Sequence, residues 1–181
     1  GLCLDLANRL TGALTQAQLQ QALRLLESPL AQGFTAAERS VGDAGADGLA
    51  AYRKQLSERP PRAERLALVQ RLDAAAHTTA LAGLLRYEVG KTQAFLALQA
   101  RGESIDEKAL SSQTKAQEDA LRVSSAEAVA SFMLYAYRQM PSEKLAEYAA
   151  LYEQPAVAQL LDGSVQRLPE LFAARRAQLQ K

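Results

Sequence analysis

The sequence predicts an all-α fold of about seven helices, in one domain over residues 1–181. Three observations predict it. The chain holds 36 alanines and 30 leucines, just over a third of its length, against 15 residues of Val, Ile and Thr together. Alanine and leucine favour helix, and β-branched residues favour strand. Prolines and glycines punctuate segments whose apolar residues recur at three- and four-residue spacing. Apolar residues make up 48% and charged residues 23%, the balance of a folded globular chain rather than a disordered one.

Each element has its own local cause. Residues 2–12 read as a first helix ending near Gly12. Thr15 is placed to cap a second, from Gln16 to Glu27, with Leu19, Leu23 and Leu26 on one stripe. Ser28 then caps a third helix that Pro29 opens, because the missing N–H of proline costs nothing in a first turn. That helix carries Leu30, Phe34, Ala37 and Val41 and is expected to fail in the turn-rich stretch from Gly42 to Gly48. Asp47 is the expected cap of a short fourth helix through Tyr52 and Leu56, stopped by Pro60 and Pro61.

Two long central helices follow. No proline interrupts the chain after Pro61 until past Arg101, so residues 61–101 predict a helix of about 60 Å, weakest at His77, Thr78 and Thr79. Small residues recur in it at heptad spacing: Ala76, Gly83, Gly90 and Ala97. Such a stripe admits another helix at close range, the expected neighbour being the helix end with Phe132 and Tyr135. Drift in an alanine-rich sequence is the alternative. After a turn at Gly102 to Ile105, Ser104 and Glu107 have capping-box spacing and open a second long helix over 105–139. Its first half, around Ser111 to Asp119, is polar almost all round. Its second half, with Val129, Phe132, Met133, Tyr135 and Ala136, is strongly apolar. One end is therefore expected to pack thinly and the other to enter the core.

Pro141 or Ser142 starts the next helix, and Pro155 opens the last, which Gly163 and Pro169 are expected to kink or split. Six of the ten aromatic residues lie between Phe132 and Phe172, which places the densest core in the C-terminal third. A faint internal echo links the ends: Leu19, Leu25, Glu27 and Pro29 match Leu145, Leu151, Glu153 and Pro155 at a constant offset of 126. Short helical hairpins, near 14–42 and 140–175, are thus expected to flank the long helices.

Charge and composition exclude several functions. The net charge is +1, from 21 basic and 20 acidic residues, and the balance holds along the chain. Nucleic-acid binders usually carry a basic excess, so no nucleic-acid partner is expected. The densest basic stretch, Arg53, Lys54, Arg59, Arg62, Arg65 and Arg71, is diluted by acids and reads as solvated helix ends. The single cysteine, Cys3, lies among leucines and reads as a small buried hydrophobe. One histidine rules out a Cys/His zinc pattern. No window approaches the roughly 18–20 apolar residues of a membrane span. Asp5 and Arg9 interrupt the only candidate signal peptide, and an opening without Met fits either a removed leader or a start inside a longer protein.

No chemical motif is complete. Gly90-Lys91-Thr92 resembles the end of a phosphate-binding loop, but Leu85 stands where the earlier glycine is required. Ser112-Gln113-Thr114-Lys115 has Ser-x-x-Lys spacing without its partner elements, in polar surroundings where the lysine is a poor base. His77 has Asp73 one turn earlier to orient it, with Thr78, Ser40, Ser131 or Cys3 as unconstrained nucleophiles. Asp106/Glu107 and Glu118/Asp119 are carboxylate pairs in the polar half of a helix, and no Glu-x-x-His occurs to build a di-iron site. Tyr135, Tyr137, Tyr148 and Tyr152 read as core residues with hydroxyls at the rim rather than as a ligand cage. No residue is assigned a catalytic, cofactor-binding or metal-ligating role, and no cofactor is expected.

The segment from Phe132 through Pro141 to Tyr148, leading into Leu151-Tyr152-Glu153-Gln154-Pro155, resembles an uncharacterised bacterial family known as domain of unknown function 2059. Its pattern is an aromatic helix end, a short turn, an acidic residue before Leu, a Tyr, then an aromatic-Glu-x-Pro hairpin. Leu25 to Leu30 is similar to a second, degenerate copy, and Arg65 to Asp73 to the middle helix of longer members. Ala156-Val157 departs from the usual glycine after the proline. The resemblance implies export by a Gram-negative bacterium, hence a periplasmic or secreted protein, and no catalytic residue.

The function expected from all this is a non-enzymatic envelope protein that acts through helix–helix contact or by binding an apolar ligand. The alternatives are a hydrolase-type enzyme using His77, and an oligomeric structural protein with the small-residue stripe as its interface. The partner is accordingly an unknown protein or an apolar small molecule, with the oligomeric state open.

Overall fold

The computed structural model describes residues 14–180. The expected helix over 2–12 and Cys3 lie outside them. The described residues form eight helices and no strand: α1 (Gln16–Leu26), α2 (Pro29–Ala44), α3 (Ala46–Glu58), α4 (Ala63–Ala76), α5 (Thr78–Ala100), α6 (Glu107–Ala136), α7 (Ser142–Tyr152) and α8 (Pro155–Leu179).

The two flanking hairpins share one design. The first arms, α1 and α7, each have 11 residues. Both second arms open on proline, after Ser28 and Gln154 as N-caps. Thr15 closes a full capping box with Gln18, and Ser28 accepts from the Ala31 N–H. The hairpins also pack on each other. Ala22 shares a buried cluster with Ala156, Val157 and Leu160. At the positions 126 residues away from Ala22 and Leu160, Tyr148 stacks on Phe34 with ring centroids 4.2 Å apart. The second hairpin is not short: α8 runs 25 residues, and neither Gly163 nor Pro169 splits it. Proline removes one helical hydrogen bond, while buried Leu168 and Leu171 hold the helix on the core on either side.

The long helix expected over 61–101 is two helices. His77 alone joins them, at φ 53° and ψ 33°, a left-handed conformation that costs a non-glycine residue roughly 1 kcal/mol. The Asp73 carboxylate stabilises the corner by accepting from the Thr79 N–H at 2.7 Å and from its hydroxyl. Low helix propensity correctly marks the place; the left-handed turn and its carboxylate cap make the break.

Three other boundaries differ from expectation. The break predicted for Gly42 to Gly48 shrinks to Gly45 alone, and helical bonding resumes with Leu49 N–H to the Gly45 carbonyl at 2.8 Å. Asp47 therefore sits in the first turn of α3 and is not its cap. At the start of α6 the cap is Asp106, whose carboxylate accepts from the Ala109 N–H at 2.7 Å, and not Ser104. Glu107 is drawn away from a capping box by two cations, described below. The turn before it is as expected, with Gly102 at φ 75° supplying the left-handed position.

Helices α5 and α6 pack antiparallel as the central pair. A Cβ built on Gly83 would stand 3.3 Å from the Arg122 Cα, so Gly83 does mark a close approach, but by the middle of α6 and not by Phe132 or Tyr135. Gly90 has nothing within 4 Å of such a Cβ, and Ala97 is exposed. The heptad stripe is thus no continuous interface. The buried face of α5 is Gly83, Tyr87, Glu88, Lys91 and Phe95.

The main core lies where α2, α4, α6 and α7 meet, around Phe34, Val69, Leu72, Leu134, Tyr137, Leu145 and Tyr148. Each fully buried aliphatic side chain there contributes about 1.5–3 kcal/mol relative to exposure. This agrees with the aromatic-rich C-terminal third, to which α2 adds Phe34. The first half of α6 packs thinly, with only Leu110 and Thr114 buried before its midpoint. The basic stretch is only partly solvated. Arg65 donates to the carbonyls of Tyr137 and Met140 and to Ser142, closing the end of α6. Arg53 reaches Ser131 at 2.8 Å, and Arg71 pairs with Glu153.

Candidate functional site

Four rings from three helices form one aromatic cluster. Phe34 of α2 stacks on Tyr148 of α7 and meets the edge of Tyr137, at the end of α6, with ring centroids 5.0 Å apart. Tyr152, one turn beyond Tyr148, meets it edge-on at 5.1 Å. Helical spacing puts Tyr148 and Tyr152 on one face of α7. Their hydroxyls lie 3.3 Å apart in a single shared hydrogen bond. The Tyr137 hydroxyl donates to Glu38 Oε1.

Beside this cluster lies a cavity of about 380 Å³. Leu72, Ala76, Leu81, Phe132, Met133 and Leu161 supply its apolar wall, and Glu38, Thr78 and the three tyrosines its polar groups. Volume and lining fall in the range of small-molecule sites, apolar with a few convergent polar groups. Burial, then hydrogen bonding to Glu38 and its charge, pushes the Tyr137 phenol well above the ordinary tyrosine value. Burial also raises Tyr148, helped by its bond to Tyr152. These phenols are therefore neutral hydrogen-bonding groups, not bases.

The cavity's hydrogen-bonding capacity is not exhausted by the protein. Two hydroxyls share one bond between Tyr148 and Tyr152, so one proton has no acceptor among the described residues. Among the described residues only Tyr137 donates to Glu38, which leaves Oε2 open.

A second polar cluster is built on ion pairs within the protein. Arg176 of α8, 2% exposed, donates to both Glu107 oxygens, to Glu88 Oε2 and to Thr92. Lys91 donates to Glu107 at 2.8 Å and to Ser111 at 2.7 Å. Burial raises the Glu107 carboxyl, but Arg176 and then Lys91 bring it below the usual carboxylate range. Two cations and two carboxylates offset each other, tying the end of α8 to α5 and α6. An adjoining groove of about 410 Å³ has Val89, Phe172 and Leu179 along it, and the Arg176 and Thr92 on its wall are already engaged.

The motifs resolve into structural parts. Lys91 is an ion-paired residue inside α5, not a phosphate-loop lysine. Ser112 and Lys115 are exposed, while buried Thr114 bonds the Tyr87 hydroxyl at 2.9 Å. Asp73 does not orient His77, because it caps α5; His77 Nε2 instead meets Asp162 Oδ1 of α8 at 2.7 Å. Glu118 and Asp119 are exposed. Among the described residues no group of three His, Cys, Asp or Glu side chains is arranged for a metal ion. No helix among them is long and apolar enough to cross a membrane.

Three of the four tyrosines read as core are brought together around one cavity, whereas Tyr135 lies elsewhere, over Gly48 and against Arg138. Glu38 was not singled out in the sequence. Its one signal is position, a carboxylate one turn after Phe34 on the apolar side of α2. No family model, no curated protein and no solved structure matches this chain.

Proposed function

We propose that this is a binding protein that holds a small, largely apolar molecule in the tyrosine-lined cavity. One observation carries the proposal: an apolar cavity of about 380 Å³ whose wall keeps an open carboxylate oxygen and an open phenol proton. Apolar surface supplies affinity and the polar pair supplies orientation. The enzyme alternative draws less support, since both His77 and Asp73 are engaged in joining helices. The oligomeric alternative also loses ground, since Gly83 packs within the chain.

From the resemblance to the exported family we propose that the protein resides in the bacterial envelope. Fractionation of its own host checks this, and recovery with the cytoplasm would reject it. For the ligand, native mass spectrometry of protein from that host should show added mass from a retained small molecule. Ala76→Leu, which fills part of the cavity wall, should abolish that mass while the helical circular dichroism persists. Retention of the same mass by the filled variant would sink the proposal.

A further inference from the structure

We infer that the molecule held in this cavity carries a cationic amine on its apolar body, an inference that rests on the binding role proposed above. The cavity wall contains one charged side chain, and it is the acid Glu38; no lysine or arginine lines it. No cation pairs with Glu38 among the described residues, where its partner is the neutral Tyr137 hydroxyl. Elsewhere in the molecule, Glu88, Glu107 and Glu153 each hold an arginine. Glu38, half-buried on the cavity wall, holds none among the described residues.

The rings beside it point to the same chemistry. Tyr137, Tyr148, Tyr152 and Phe132 all line the cavity. Aromatic faces carry negative electrostatic potential and attract ammonium groups, and cages of such rings with a nearby acid recognise organic cations. An anion would meet Glu38 in repulsion. A neutral ligand could at best donate a hydrogen bond to the carboxylate and would leave its charge unpaired. An ammonium offsets the charge, donates to Oε2, and leaves its hydrocarbon body against Leu72, Leu81 and Met133.

The test uses the intact chain and three probes of nearly one shape: benzylamine, cationic at neutral pH, benzyl alcohol, and benzoate, titrated calorimetrically. Benzylamine should bind at least about tenfold more tightly than benzyl alcohol, and benzoate more weakly than both. Glu38→Gln keeps an acceptor for Tyr137. It should lower benzylamine affinity by about tenfold and benzyl alcohol affinity by clearly less, in a chain that keeps its helical circular dichroism. Equal binding of amine and alcohol to the unmodified protein overturns the amine inference and leaves the cavity's binding role standing. That comparison needs no variant to fold. Failure of all three probes to bind overturns both.

Discussion

Arg176 and Glu88 form an ion pair of 2.8 Å, their side chains only 2% and 3% exposed, between the last helix and the middle of α5. Among the described residues Arg176 is the one cation that meets Glu88, whereas Glu107 also has Lys91. Removing Arg176 therefore strands a buried carboxylate. Arg176→Met should cost about 3–5 kcal/mol in denaturant unfolding. The double variant Arg176→Met with Glu88→Leu should recover much of that loss, because apolar replacement of a buried pair is often near neutral. A double variant no better than the single would show that the pair acts mainly through its other partners.

Gly83 and Gly90 separate packing from propensity on one helix. Glycine within a helix costs about 1 kcal/mol relative to alanine. Gly90→Ala meets open space and should raise the thermal midpoint by roughly that free energy. Gly83→Ala places a methyl 3.3 Å from the backbone of α6 and should gain nothing or lose stability. Gly83→Leu should lose about 1–3 kcal/mol or more. Equal stabilisation by both alanines would remove the close contact from the account of α5 and α6.

His77 bears the strain of the left-handed corner. Ala and Gly replacements lose the Asp162 contact equally but differ in that strain. His77→Gly should therefore be more stable than His77→Ala by about 1 kcal/mol, measured by urea unfolding. The reverse order would mean that α4 and α5 straighten once the imidazole is gone.

The buried phenols set an alkaline limit. Tyr137 and Tyr148 are raised chiefly by burial, then by bonds to Glu38 and Tyr152 respectively. A folded-state pKa above the unfolded value gives stability that is whole below about 10 and falls as pH rises above it. Phenolate absorbance from these two residues should appear together with loss of helical circular dichroism. Tyr137→Phe should flatten the alkaline decline. Ionisation of all six tyrosines in a still-folded chain would contradict their burial.

Much of the chemistry between near neighbours was legible, although the caps expected of Asp47 and Ser104 fell to Gly45 and Asp106. Thr15 and Ser28 as caps, Pro29 and Pro155 in first turns, Gly102 in a turn and the weakness at His77 follow from backbone sterics and hydrogen bonds within a few residues. The all-α class follows from summed propensity, and the aromatic core from composition. What a residue does across the fold was not legible. Nothing near Arg176 in sequence announces Glu88, 88 positions away, and nothing near Glu38 announces Tyr137, 99 positions away. Burial of charge, the use of Glu107 as an ion-pair partner, the engagement of Arg65 and the gathering of three tyrosines around one cavity depend on which helix faces meet. That choice rests on summed apolar contacts over the whole chain, so only the tertiary structure decides it, and the candidate site belongs wholly to that part.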